Sequence, residues 1–382
     1  SFAFAQTTNS ELDQLIASGI QNNKELKAQQ LQVDKYEATI KSAYTFDKTN
    51  LYYNKDNNNL AFNNEPLNVI GIQQNFAFPT VYGAQKKVYT ADYDKEKASF
   101  EMRKSKLSLE ISKVYQQIVY FQHQEKLYVY LDSLYQNFSK ASDRRFELGE
   151  TNYLEKITAQ AKFRQIKTKL NQIESEKKAQ YAVLHSLIQT DEKIVISTSA
   201  ISPMSVAMDT RNESVQNAYL ESVSTKYKNQ IKLQKQHWLP DINLEYFTGS
   251  NKGLSQSLNG FQVGLSLPIL FSGTISKTKV AQLEWESWEQ QRQNQIQKRS
   301  EFIIQKKNEL AKYQEAINYY AQIGKKLSDE IIKVGNLSYK QGEIDFFQYI
   351  QSLENASNIQ VDYLDNVLQF NIIQLDIQYL NY

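Results

Sequence analysis

The sequence predicts a mainly α fold with a small β part, in which long helical hairpins occur twice along the chain. Only 12 glycines and 5 prolines occur among 382 residues, a composition that favours long helices over a compact α/β enzyme. Short segments alternate apolar and polar side chains, which is the period of β-strands. Matching motifs recur about half a chain apart, and such internal similarity indicates a tandem duplication.

Two pairs of motifs show the duplication. GIQQNFAFP (71–79) aligns with GFQVGLSLP (260–268), 189 residues later, and RFELGETNYLEK (145–156) aligns with SYKQGEIDFFQY (338–349), 193 residues later. The two halves of the chain are therefore expected to fold alike. We divide the chain into an N-terminal tail with a signal remnant (1–9), a first repeat (10–190), a linker between the repeats (191–211) and a second repeat (212–382).

Each repeat is predicted to contain a helix, two strands, a very long helix, a glycine turn and a returning helix. In the first repeat we expect helices over 10–43, 84–148 and 152–188, with strands over 51–54 and 68–78. In the second repeat we expect helices over 212–237 and 274–341, a returning helix from Gly342 to the C-terminus, and strands over 241–248 and 260–267. The linker has room for one further short strand.

Heptad spacing indicates how the long helices pack. Apolar residues in the first long helix step by four and three, shift in phase once, and then resume the same steps. These residues are Leu107, Ile111, Val114, Ile118 and Phe121, followed by Leu127, Leu131, Leu134, Phe138 and Ala141. A helix of about 65 residues is about 100 Å long. We therefore predict a rod or tube of helices packed side by side.

The strands have one apolar and one polar face. The predicted apolar face consists of Ile70, Ile72, Phe76, Phe78, Ile242, Leu244, Tyr246, Phe261, Val263, Leu265 and Leu267. Such a face either packs on a helix or meets lipid, as in membrane β-barrels. Four strands leave open edges, which lipid does not tolerate, so a lipid-facing sheet must be completed by other copies of the chain. Pro79, Pro240 and Pro268 are predicted to mark the junctions between strands and helices.

Composition and motifs argue against several classes of function. A net charge of +2 gives no bulk attraction for nucleic acid, and cysteine is absent. His123, His185 and His237 have no metal-site spacing, and no nucleotide-binding or hydrolase motif occurs. We therefore predict no enzyme activity, no cofactor and no metal site. Ala3 and Ala5 form an A-x-A pattern typical of the end of a secretory signal.

The duplicated junctions NFAFPTVYGAQ and LSLPILFSGTI, and the turns RFELGETNYLEKITAQ and SYKQGEIDFFQYIQSLENA, resemble those of the TolC family over essentially the full chain. The resemblance implies a homotrimer in the Gram-negative outer membrane, with a twelve-stranded barrel in outer-membrane lipid and a periplasmic α-barrel. It implies a passive exit channel that works with a periplasmic adaptor protein and, through it, an inner-membrane transporter. The stretch QNFAFPTVYGAQ is similar to the branch that serves heavy-metal pumps of the resistance-nodulation-division class.

The resemblance also implies functional positions. It places Leu148, Gly149, Glu150, Gln341, Gly342 and Glu343 at a periplasmic tip that contacts the adaptor. It places Glu155, Gln348 and Gln351 at the periplasmic entrance, where an acidic ring attracts cations in some relatives. The sequence leaves two alternatives: a coiled-coil structural or adhesion protein outside the cytoplasm, or an exit channel for type I secretion. The branch similarity favours heavy-metal cations as the exported substrate, and the residues themselves do not distinguish metals, drugs and polypeptides.

Overall fold

The computed structural model describes residues 3–58, 64–197, 201–205, 211–253, 255–269 and 271–379. Helices account for most of them, and four strands form one antiparallel sheet, so the predicted class is confirmed. The helices are α1 (Ala3–Asn22), α2 (Lys24–Lys41), α3 (Pro79–Glu147), α4 (Tyr153–Ile188), α5 (Arg211–Gln236), α6 (Ser272–Tyr319), α7 (Lys325–Gln341) and α8 (Phe346–Tyr379). Within these ranges, no helix combines the length and apolar character needed to cross a membrane.

The sheet contains both strand pairs of the predicted repeats. Its strands are β1 (Asn50–Asp56), β2 (Leu67–Phe76), β3 (Asp241–Ser250) and β4 (Leu258–Ser266), in the order β1-β2-β3-β4. Each neighbouring pair is antiparallel, and β2 of the first repeat pairs with β3 of the second. In the described part of the chain, β1 and β4 have a strand neighbour on one side only.

The opening helix is not continuous over 10–43 as predicted, because it breaks at Asn23. The buried Asn23 side chain accepts a hydrogen bond from the Leu26 amide (3.0 Å) and donates one to the Leu187 carbonyl (2.9 Å). An asparagine that caps a new helix start in this way competes with the helical hydrogen bonds that would pass through it. The break therefore fixes the helix start to the end of α4.

The long helix of the second repeat is also not continuous over 274–341. Residues Tyr320–Gly324 form a π-helical turn between α6 and α7. The Tyr320 ring stacks on the Tyr363 ring of α8, with centroids 3.9 Å apart. In the first repeat, α3 runs unbroken. A π-turn accommodates an extra residue, a change that heptad counting along a single helix did not reveal.

The chain divides into two compact units, and each draws segments from both predicted repeats. One unit consists of 1–27, 102–213 and 297–382, and the other consists of 28–101 and 214–296. The second unit holds the whole sheet, and the first holds the helix–turn–helix ends. The division of the sequence into two repeats stays a prediction.

The first unit has a helical core. Leu107, Ile111, Val114 and Ile118 are buried, as the heptad spacing predicts. The last predicted position is wrong: Ala141 is exposed, whereas the neighbouring Ser142 is buried.

A buried side-chain amide in this unit, that of Asn371, binds the linker between the repeats. Asn371 donates to Gln116 and to the Ser202 carbonyl (3.0 Å each) and accepts from the Met204 amide (2.8 Å). In the described residues 190–197 and 201–205 no strand occurs.

Candidate functional site

One face of the sheet is apolar across all four strands. The register places Leu51, Ile72, Tyr246 and Phe261 in one row, with Leu244 beside Val263 and Ile242 beside Leu265 in the rows that follow. The exposed fraction is 74% for Leu51 and 80% for Phe261. An exposed apolar face that crosses four strands marks a surface that meets lipid or another molecule.

Four residues of the predicted apolar face differ from the rest, two in burial and two in lying beyond the ends of the strands. Phe76 and Ile242 are half-buried, and the Phe76 ring packs edge-on against Phe46 at 5.4 Å. Phe78 lies beyond the end of β2 and packs against the small core around Val81. Leu267 lies just beyond β4 and is exposed.

Gln74 is a polar residue on the apolar face. Its side-chain amide donates to the Asp47 carbonyl (2.7 Å), and its oxygen accepts from the Thr49 hydroxyl (2.5 Å). Both polar atoms of its side chain are therefore hydrogen-bonded, which lowers the cost of placing an amide on an apolar surface.

One row of the opposite face alternates aromatic residues and glycines. Tyr52, Gly71, Phe247 and Gly260 form one row across the four strands. A Cβ atom added to Gly71 would lie 2.3 Å from Cζ of Tyr52, and one added to Gly260 would lie 2.4 Å from Cζ of Phe247. Each ring therefore covers the glycine of the next strand, a pairing that shields the backbone where glycine leaves a gap. The two glycines occupy matching positions of the duplicated motif.

The charges on this polar face are acidic. Among the described strand residues it carries Asp56, Asp241 and Glu245 and no lysine or arginine, whereas Lys55 points to the apolar side. The Tyr52 hydroxyl donates a hydrogen bond to the Glu245 carboxylate.

Prolines lie at the junctions between sheet and helices. Pro79 is the first residue of α3, where proline lacks only a donor that the helix does not use. Pro240 lies between α5 and β3, and Pro268 lies between β4 and α6. Beside Pro240, the Trp238 ring stacks on Phe271 at 5.8 Å.

In the other unit, two helix–turn–helix ends have the same geometry. Gly149 and Gly342 both have φ of +74°. The residues after them, Glu150 and Glu343, donate to carbonyls five positions earlier, each at 2.8 Å. This pattern is the Schellman C-cap, in which glycine adopts the left-handed conformation without strain. The flanking predicted tip residues Leu148 and Gln341 are exposed, as are Glu150 and Glu343.

Glu155 does not lie on an open surface. Arg145 Nη1 donates to Glu155 Oε1 (3.2 Å) and to the Tyr339 hydroxyl (2.9 Å). The exposed fraction of the Glu155 side chain is 11%, and that of Arg145 is 40%. Arg145 and Glu155 belong to the hairpin formed by α3 and α4, whereas Tyr339 belongs to the hairpin formed by α7 and α8. Arg145 therefore joins the two hairpins.

The matching positions of the second repeat have another arrangement. Gln348 accepts a hydrogen bond from the Asp345 amide (3.0 Å) and Asp345 accepts one from the Gln348 amide (2.8 Å), a reciprocal cap at the start of α8. Gln351 is exposed. The three predicted entrance residues therefore have three different environments.

An aromatic cluster supports the junction of the hairpins. The rings of Tyr339 and Tyr349 stack at 4.6 Å, and Phe138 stacks on Phe346 at 4.9 Å. Burial raises the pKa of the Tyr349 hydroxyl to about 12. Burial also raises the pKa of Tyr339, and the Arg145 guanidinium opposes that shift.

Several residues of these surfaces were not predicted from the sequence. Leu51 and Tyr53 share the apolar face, and their alternation with Tyr52 was the available signal. Arg145 begins the motif RFELGETNYLEK, but its partner Tyr339 lies 194 positions away, and no local pattern links the two residues. In the described ranges, no three potential metal-ligating side chains lie together.

No protein-family model matches the chain, and no curated protein matches it. Solved structures do match. The chain is similar to the outer membrane protein VceC from Vibrio cholerae (TM-score 0.80, 13% identity, 99% of this chain and 97% of that chain). It is similar to the CmeC outer membrane channel of Campylobacter jejuni (0.77, 13%, 97% and 85%) and to CusC, whose structures concern transmembrane channel formation (0.78, 13%, 97% and 91%).

Proposed function

Because the chain has the fold of the TolC-family outer-membrane channels, we propose that it is a passive exit duct of a tripartite efflux pump. It acts as a homotrimer in the outer membrane of a Gram-negative bacterium, with a long periplasmic extension. It carries out no chemistry, and an inner-membrane transporter, of the resistance-nodulation-division class, supplies the energy through a periplasmic adaptor.

The apolar face of the open sheet carries this proposal. Large apolar side chains are exposed on both edge strands, β1 and β4, so the apolar surface extends to both edges of the sheet. Lipid requires the backbone groups at both edges to be paired. Pairing of β4 of one copy with β1 of the next satisfies this requirement, and three copies give a closed barrel of twelve strands.

Purification and reconstitution test the duct. We expect detergent-dependent trimers that resist heat on gels and that give large conductance steps in planar bilayers. A monodisperse rod that stays dissolved without detergent would instead support the structural or adhesion protein.

The exposed helix turns are the proposed contact for the adaptor. At both Gly149 and Gly342 an added Cβ meets nothing within 4 Å, so the turns are open to a partner. A larger residue there has two effects, backbone strain from the positive φ and bulk at the surface.

Two variants change the surface of the turn to different extents. Asparagine tolerates the left-handed conformation, so Gly342→Asn adds modest bulk with little strain, whereas Gly342→Glu adds strain, bulk and charge. We expect the glutamate variant to lose co-purification with the adaptor while its trimers persist, and the asparagine variant to keep most of it. Full adaptor binding and efflux by Glu variants at both glycines would refute the assignment.

The cargo stays a prediction. The heavy-metal branch motif suggests metal cations, but CusC is no more similar to the chain than VceC is. Efflux assays with metal ions and with organic drugs in a strain lacking its own ducts address this directly.

A further inference from the structure

We propose that Tyr52, Glu245 and Phe247 form a weak binding site for aromatic organic cations on the polar face of the sheet. The inference rests on the proposed function for the placement of this face in the lumen of the duct. The site itself is defined by contacts within one chain.

The aromatic rings offer their faces to a ligand. Each ring covers the glycine of a neighbouring strand, so it lies along the sheet and turns one face away from it. Both rings are only half-buried. The face of an aromatic ring carries the negative part of its quadrupole and attracts cations.

A carboxylate lies beside these rings in a fixed position. The Tyr52 hydroxyl donates to Glu245, which restricts the carboxylate to the side of the sheet where the rings lie. Glu245 and Phe247 are two positions apart on β3 and point to the same face, so their Cα atoms are about 7 Å apart. A benzyl ammonium ion spans this distance, with its charge near the carboxylate and its ring near Phe247.

The surroundings favour a cation over an anion. No lysine or arginine shares this face among the described strand residues. The site is also open and shallow, so binding is weak. Weak binding suits a duct, because a ligand must leave as readily as it enters.

Two probes of similar shape and opposite charge test the site. Benzyltrimethylammonium and benzenesulfonate are compared by equilibrium dialysis against the detergent-purified protein and by block of its conductance in planar bilayers. We expect the ammonium ion to bind at millimolar concentration and to reduce the conductance, and the sulfonate to do neither.

Variants locate the site. Glu245→Gln and Phe247→Leu are each expected to weaken ammonium binding about three- to tenfold. Tyr52→Phe keeps the ring over Gly71 and frees the carboxylate, so we expect a smaller loss. Asp241→Asn is the matched control, since it removes a carboxylate from the same face away from the aromatic row. Heat-resistant oligomers on gels verify that each variant is folded.

The possible results separate the two proposals. Equal binding of both probes, or an equal loss in Asp241→Asn and Glu245→Gln, would overturn the site and reduce it to general surface charge. Unchanged binding in Glu245→Gln would overturn it as well. Absence of conductance in every variant would contradict the duct, whereas dialysis would still decide the binding site.

Discussion

Arg145 is predicted to hold the two hairpins together at their glycine turns, and Arg145→Ala tests this. The substitution removes both hydrogen bonds that reach Glu155 and Tyr339. It also leaves the Glu155 carboxylate, with an exposed fraction of 11%, without this guanidinium. Breaking a fully buried ion pair costs about 3–5 kcal/mol. Because 40% of Arg145 is exposed, solvent screens the pair, and we reduce the expected cost to about 1–2 kcal/mol.

This energy sets the size of the effect. A loss of about 1–2 kcal/mol changes an equilibrium between joined and separated hairpins about 5- to 30-fold. The family resemblance places these turns at the entrance of the proposed duct, so we expect separated hairpins to widen it. In planar bilayers the ratio of high- to low-conductance time should then rise by the same factor. Arg144→Ala is the matched control, because Arg144 is the adjacent arginine and is exposed.

The same conductance record in both arginine variants would contradict this role of Arg145. A further check uses Glu155→Gln, which preserves the shape of the side chain and removes its charge. If Arg145 acts through Glu155, the double variant Arg145→Ala/Glu155→Gln should lose less than the sum of the two single variants.

Two further predictions concern stability. Gly71→Ala should lower the stability of the trimer by about 1–3 kcal/mol, because the added Cβ would meet the Tyr52 ring. Gly264→Ala is the control, because its Cβ would lie 3.6 Å from Asn243. Equal heat resistance of the two variants on gels would contradict the expectation. Because burial raises the pKa of Tyr349 from 10.0 to about 12, its stabilisation is complete below pH 10 and declines as the pH rises through 12. Thermal unfolding followed by circular dichroism should show this decline, and an identical decline in Tyr349→Phe would contradict it.

The faces of the strands and the glycine turns could be predicted because their causes are local. Side chains in a strand point to the same face every two residues, so the sequence alone predicts that Phe261, Val263 and Leu265 share a face. Likewise, the glycine between two long helical segments indicates a left-handed cap from the sequence alone.

Other features depend on distant residues and could not be predicted. From the sequence, Glu155 is expected to be an exposed acid near a turn, whereas its side chain is only 11% exposed and accepts a hydrogen bond from Arg145. Asn23 reads as an ordinary helical residue, and only the end of α4 gives its amide a partner. The rings of Tyr52 and Phe247 were not singled out from the sequence, because only the register shows that each lies over a glycine of the neighbouring strand.

The π-turn at Tyr320–Gly324 has a consequence for the symmetry of an assembly. The π-turn interrupts the regular α-helical hydrogen bonds between α6 and α7, whereas α3 has no such interruption, so the two hairpins of the chain are not equivalent along their length. Three copies would contribute six hairpins of two alternating kinds. A partner of the proposed trimer would meet three equivalent clefts of each kind rather than six identical ones.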